Sequence, residues 1–183
     1  LGYVYKRQDE NGICPMTDST IRTAVDAWLA NATAAEATYG HISTWDTSEI
    51  TDMACLFGKN ESWTSCTLPD TSSFNDDISQ WNTSKVTDMN HMFFGASSFN
   101  QDIGNWNVGN ASNISYMFRN ASAFNQPIGD WNVEKVTSMR LMFDQAWKFN
   151  QPIGDWRVDN VRNMHKVFQV ARSFNQPLNK WNV

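Results

Sequence analysis

Three histidines, His41, His91 and His165, are the side chains best suited to proton transfer near neutral pH or to holding a metal ion. No regular spacing joins them, and neither duty is expected of any. Among the carboxylates, Asp77 and Asp102 stand 25 residues apart. Glycoside hydrolysis requires two carboxyl groups about 5 to 9.5 Å apart in a pocket. The same position holds Pro127, Pro152 and Pro177 at the following steps, so no acid pair is singled out. The chain also lacks a GxSxG elbow, a phosphate loop and a Cys/His metal spacing. These residues point to a protein that is not an enzyme, with no catalytic residue, no metal and no cofactor expected.

Asparagine and tryptophan are more informative. Six Asn-x-Ser/Thr acceptors, Asn31, Asn60, Asn82, Asn110, Asn113 and Asn120, could bear N-linked glycans in a secreted eukaryotic protein. Asn110 and Asn113 are too close for both to be comfortably modified. The nine Trp could form an aromatic platform for sugar rings. Five of them, Trp81, Trp106, Trp131, Trp156 and Trp181, recur at a constant step of 25, which is more simply explained as core. Trp63 and Trp147 lie off that register and are the better candidates for binding.

The repeat positions these residues. Phe74, Phe99, Phe124, Phe149 and Phe174 keep the same step, as do the Asn after each and the Ile or Leu three residues further on. These Asn are read as structural, each tying the backbone of one unit to the next. Trp45 opens an earlier copy, in which 11 extra residues fall between Phe57 and Phe74. Cys55 and Cys66 bracket that insert, so a disulfide between them is expected, leaving Cys14 over. Within a unit, Ile103-x-x-Trp106-x-Val108 alternates as a short strand, with Trp106 and Val108 inward and Asn107 outward. Val86, Met89, Met92, Phe93 and Ala96 share one face of a helix, with Ser84 as N-cap and Gly95 as stop. The segment FNQPIG returns the chain, its proline fixing a turn.

One such unit cannot bury its own apolar face, so successive copies must stack. The expected fold is an α/β repeat solenoid, leucine-rich-repeat-like, in 25-residue units of short parallel strand plus short helix with an N-terminal helical cap. Narrow strands and wide helices should curve it, strands on the concave side. Residues 1–40 form the N-terminal segment and capping helix, which covers 17–32 with Ile21, Val25, Trp28 and Leu29 on its inner face. Residues 41–183 form a six-strand array with an insert near 59–70. On the concave face Asn82, Asn107, Asn132, Arg157 and Asn182 should point outward, where a ligand would bind.

The consensus FNQ-x-I-x-x-W-N-V-x-x-V-T-x-M-x-x-MF-x-x-A, best represented by Phe124 to Phe143, resembles the BspA-like surface-protein repeat, also called DUF285 or the mycoplasma lipoprotein repeat, over residues 41–183. IRTAVDAWL and the following YGHISTWDTSEITDMACLF are similar to the N-terminal region of members found in protists. The resemblance implies an extracellular or cell-surface interaction protein and supplies no catalytic residue. Ala111 and Ile114 depart from it, replacing Val and Met, and should loosen the packing of their unit.

Few charges and a net charge of -5 argue against a nucleic-acid partner, and no apolar run is long enough to span a membrane. The first eight residues, LGYVYKRQ, share nothing with the rest. Val4 to Gln8 reads as the translated end of a sequencing adapter, or Lys6-Arg7 as a dibasic processing site. At the other end, Trp181-Asn182-Val183 lacks the helix expected to cover its strand. Either the chain continues, or an identical copy covers that end head to tail and the contact propagates into a filament. The expectation is an extracellular glycoprotein for structural association or adhesion, with a carbohydrate-binding module using the concave face as the alternative.

Overall fold

The computed structural model describes residues 15–62, 64–68 and 70–182. Cys14, Trp63, Val183 and the Lys6-Arg7 pair therefore lie outside the described residues. Thr17 caps the first helix, α1 (Asp18–Ala30), through a capping box with Thr20. Ile21, Val25 and Trp28 are buried as expected, whereas Leu29 stays partly exposed. Asn31 ends α1 and caps a second helix, α2 (Ala32–Tyr39), its Oδ1 accepting from the Ala34 N–H. A short 3-10 segment, Ile42–Thr44, then leads into the repeats.

From there to residue 182 the described residues form neither a helix nor a strand, only single-residue parallel bridges such as Asp88 with Asn113. This overturns the strand-plus-helix unit and the leucine-rich-repeat-like solenoid drawn from it. The curvature argument, which needed both elements, goes with it.

The physical reason lies in residues 89–96. His91 and Gly95 adopt left-handed backbone, φ 57° and 77°, and a helix cannot pass through such residues. The N–H groups divide alternately. Met89, His91, Phe93 and Gly95 donate to the carbonyls of Asn113, Ser115, Met117 and Arg119 in the next unit, while Met92, Phe94 and Ala96 donate back three residues to Met89, His91 and Phe93. Apolar residues three and four apart thus mark successive tight turns, and Ser84 and Gly95 are turn residues, not caps. The expected strand fails in the same way: the Trp106 N–H donates to Ile103 within its own unit.

What recurs every 25 residues is a set of columns. One runs through Phe57, Phe93, Phe118, Phe143 and Phe168, with centroids 5.6 to 5.7 Å apart and planes within 8°. A second runs through Phe74, Phe99, Phe124, Phe149 and Phe174 at 5.7 to 6.1 Å. The two touch within each unit, as Phe118 and Phe124 do at 3.9 Å. Ala111 and Ile114 are fully buried.

The chain's return is fixed in two ways. In the earlier units Asp77 and Asp102 each accept an N–H from the residue two further on, Ser79 and Gly104, a side-chain-held turn. Later units use the rings of Pro127, Pro152 and Pro177 instead. Gly104, Gly129 and Gly154 pass directly beneath those prolines, and a Cβ on any of them would stand 2.4 to 2.5 Å from the proline carbonyl one unit on.

Candidate interaction surface

The periodic Trp and Asn side chains of two columns bond between neighbouring units. Trp45, Trp81, Trp106, Trp131 and Trp156 are buried. The indole N–H of Trp106 donates to the carbonyl of Ile78 in the preceding unit, and Trp131, Trp156 and Trp181 do the same to Ile103, Ile128 and Ile153. The Asn column is also structural. Asn75 Oδ1 accepts the backbone N–H of Asn100, and this bond repeats to Asn125, Asn150 and Asn175. Beside it Gln101 Nε2 donates to the Asn75 carbonyl, echoed by Gln126 on Asn100.

The row Asn82, Asn107, Asn132, Arg157 and Asn182 is exposed, but on turns, not on a sheet. Asn82, Asn107 and Asn132 each use Oδ1 to accept the N–H two residues on. Arg157 lies within 3.7 Å of Glu134 and Asp159 carboxylate oxygens.

Of the glycan acceptors, Asn31, Asn60, Asn82 and Asn110 are exposed and Asn113 and Asn120 partly so. Asn110 Nδ2, the atom a glycan would occupy, donates to the Ser84 carbonyl at 2.7 Å. Cys55 and Cys66 are joined, with Cα atoms 5.0 Å apart. Cys55 occupies a left-handed turn position shared with His91, Tyr116, Leu141 and Lys166. In that register His91 and Leu141 are buried, whereas Lys166 is exposed.

The histidines remain apart. His41 Nδ1 lies 2.8 Å from the Ser43 hydroxyl, His165 is exposed, and His91 stacks on Tyr116 at 4.3 Å. Burial, and then the Arg119 guanidinium, push the His91 pKa down to about 4. The backbones of Asp52 and Asp88 pair across neighbouring units. Burial raises the Asp88 pKa against the Asn90 N–H bond, which lowers it, and the Asp52 charge raises it further. Asp52 pairs with Arg22 at 3.2 Å, so this pair ties α1 to the repeats. Among the described residues no three His, Cys, Asp or Glu are arranged to hold a metal ion.

The sequence marked out Trp147 but not the cluster around it. Trp147 and Val170, 43% and 46% exposed, are the exposed large hydrophobic residues of the described chain. They lie on two segments, 137–148 and 162–173, bonded side by side from Arg162 N–H to the Thr137 carbonyl at one end to Ser173 N–H and the Trp147 carbonyl at the other. The Arg172 guanidinium sits 5.0 Å over the Trp147 ring. The low overall charge concealed this cluster, whose cations are scattered along the sequence; aligning the units by their 25-residue step would have exposed it.

The family described as Mycoplasma protein of unknown function, DUF285, matches residues 28–147 and 102–183. No curated protein and no solved structure matches the chain. The two matched stretches overlap and together cover residues 28–183, every repeat unit included, so the chain belongs to the DUF285 family.

Proposed function

We propose that this chain is an extracellular, glycosylated protein of structural association or adhesion, acting through surfaces and without catalysis. The observation that supports it best is the use made of the repeated side chains: Trp, Phe, Asn and Gln at each 25-residue step hold the next unit in place, leaving only the outer surface to meet other molecules. The Cys55–Cys66 disulfide favours an oxidising compartment, and the resemblance to BspA-like surface repeats points the same way. Head-to-tail joining of identical copies is the favoured form of association. The two faces of a unit differ: His91 and Phe93 N–H reach the next unit's carbonyls, while Ser112 N–H reaches back to Thr87. Helix α1 covers the first unit's face through Asp18 and Arg22, so a contact between copies joins the α1 side of one to the opposite face of another. A carbohydrate face along Asn82, Asn107 and Asn132 has less support, because their side-chain oxygens already serve turns.

Intact-mass analysis of native material tests the glycan claim, with mass above the polypeptide expected. Sedimentation velocity over a range of concentrations tests association. Large species are expected, and a bare monomer at every concentration would count against the reading.

A further inference from the structure

Twelve Lys and Arg residues lie within the described chain, and six of them pair with carboxylates. Lys135 donates to Asn110 Oδ1. The remaining five, Arg140, Lys148, Arg162, Lys166 and Arg172, pair with no described carboxylate and are all exposed. Every one belongs to the two bonded segments that carry Trp147 and Val170. The segments' own acid, Asp144, is buried and held by Arg119 at 2.8 Å.

The repeat does not require these cations. At the Arg140 position other units carry Ala54, Asn90 and Ser115; at the Arg172 position, Ser72, Ser97 and Ser122; at the Arg162 position, Thr51, Thr87 and Ser112. Like charges gathered on adjacent segments repel one another, a cost that an anionic partner removes.

We propose that this patch binds an anionic polysaccharide, through its carboxylate or sulfate groups. Arg and Lys supply the charge-assisted hydrogen bonds such groups accept. Trp147 supplies an apolar face for a sugar ring, with Val170 two residues before Arg172 extending it. Nucleic acid fits less well. A duplex carries one charge per about 1.7 Å of axis, and binding a bare single strand calls for several stacking platforms where this patch offers one exposed Trp. With the chain at -5 and these two segments at +4, the remainder carries -9, so attraction to an anion is confined to these segments. An acidic polysaccharide carries its anions on sugar rings, so one chain offers both charged groups for these cations and an apolar ring face for Trp147. The proposal does not depend on the chain associating with itself.

Binding of the full chain to immobilised heparin, polygalacturonate and neutral dextran tests it. Heparin and polygalacturonate separate the sulfated from the carboxylated source, and retention on either, with none on dextran, is expected. Lys148→Gln/Lys166→Gln/Arg172→Gln should weaken binding about tenfold or more and lower the slope of log affinity against log salt by roughly 2. Trp147→Ala should weaken it about threefold with the slope unchanged, while Lys85→Gln/Lys135→Gln changes neither. Melting curves check that each variant is folded. Equal binding by the wild type and the triple variant, equal retention on dextran, or tighter binding to a DNA duplex than to either acidic polymer would each overturn the proposal. So would a triple variant that loses self-association but keeps its glycan affinity, which would assign the patch to a second copy.

Discussion

His91 links folding to pH. In the fold its pKa lies near 4, and in the unfolded chain it returns to about 6.5. Between those values the unfolded state binds the proton and the folded state does not, so stability falls as pH drops through that window and levels off below it. The full effect is on the order of 3 kcal/mol. His91→Phe keeps a ring against Tyr116 and removes the titration. Urea melts at pH 7 and pH 4 should show the wild type losing about 2 to 3 kcal/mol more than the variant; equal losses would contradict this. At this level the sequence was readable wherever a residue recurred. The Trp register foretold burial, and the Asn register foretold its structural use, although the amides reach the next unit's backbone and not each other. His91 itself was not readable, because its burial depends on Tyr116 in register with it and on Phe94 three residues further on.

The turn segments explain the main misreading. A step of three or four apolar residues describes a helix and equally a chain of tight turns, and only the left-handed residues separate the two. Gly95 and Asn120 suit that conformation, but Gln145 and Val170 in the same register do not advertise it. Val170 is β-branched with φ 56°, so Val170→Asn should stabilise by about 1 kcal/mol and raise the melting temperature by a few degrees. Gly129→Ala should do the reverse, by about 2 kcal/mol, because its Cβ meets the Pro152 carbonyl. Helix α1 was foreseen as a cap, and its polar face completes that role. Asp18 accepts from Thr51 N–H, Thr51 hydroxyl and Asp52 N–H, as the Thr51 carbonyl accepts from Thr87 N–H and hydroxyl. Arg22 donates to the Ala54 and Asp52 carbonyls. The two side chains thus stand in for a preceding unit. Asp18→Ala should cost about 2 kcal/mol and remove hydrogen-exchange protection at Thr51 and Asp52 before any later unit; uniform loss along the chain would refute the capping role.

For the molecule as a whole, stability passes from neighbour to neighbour, since each unit bonds mainly to the next. The Cys55–Cys66 bridge closes an 11-residue separation around the insert in the first unit, and its reduction should cost about 3 kcal/mol. Thermal melts with and without reductant measure this, and identical melts would show that the bridge contributes nothing. The glycines beneath the prolines bear on how such a protein can grow by copying its own gene segment. Pro127, Pro152 and Pro177 each follow a unit bearing glycine at the contact, whereas Ser79, with its Cβ, precedes the unit carrying Asp102. Duplicated units are therefore not interchangeable bricks. Each proline-bearing unit sits behind a glycine-bearing one, so the order of the repeats has a grammar that runs one way along the chain.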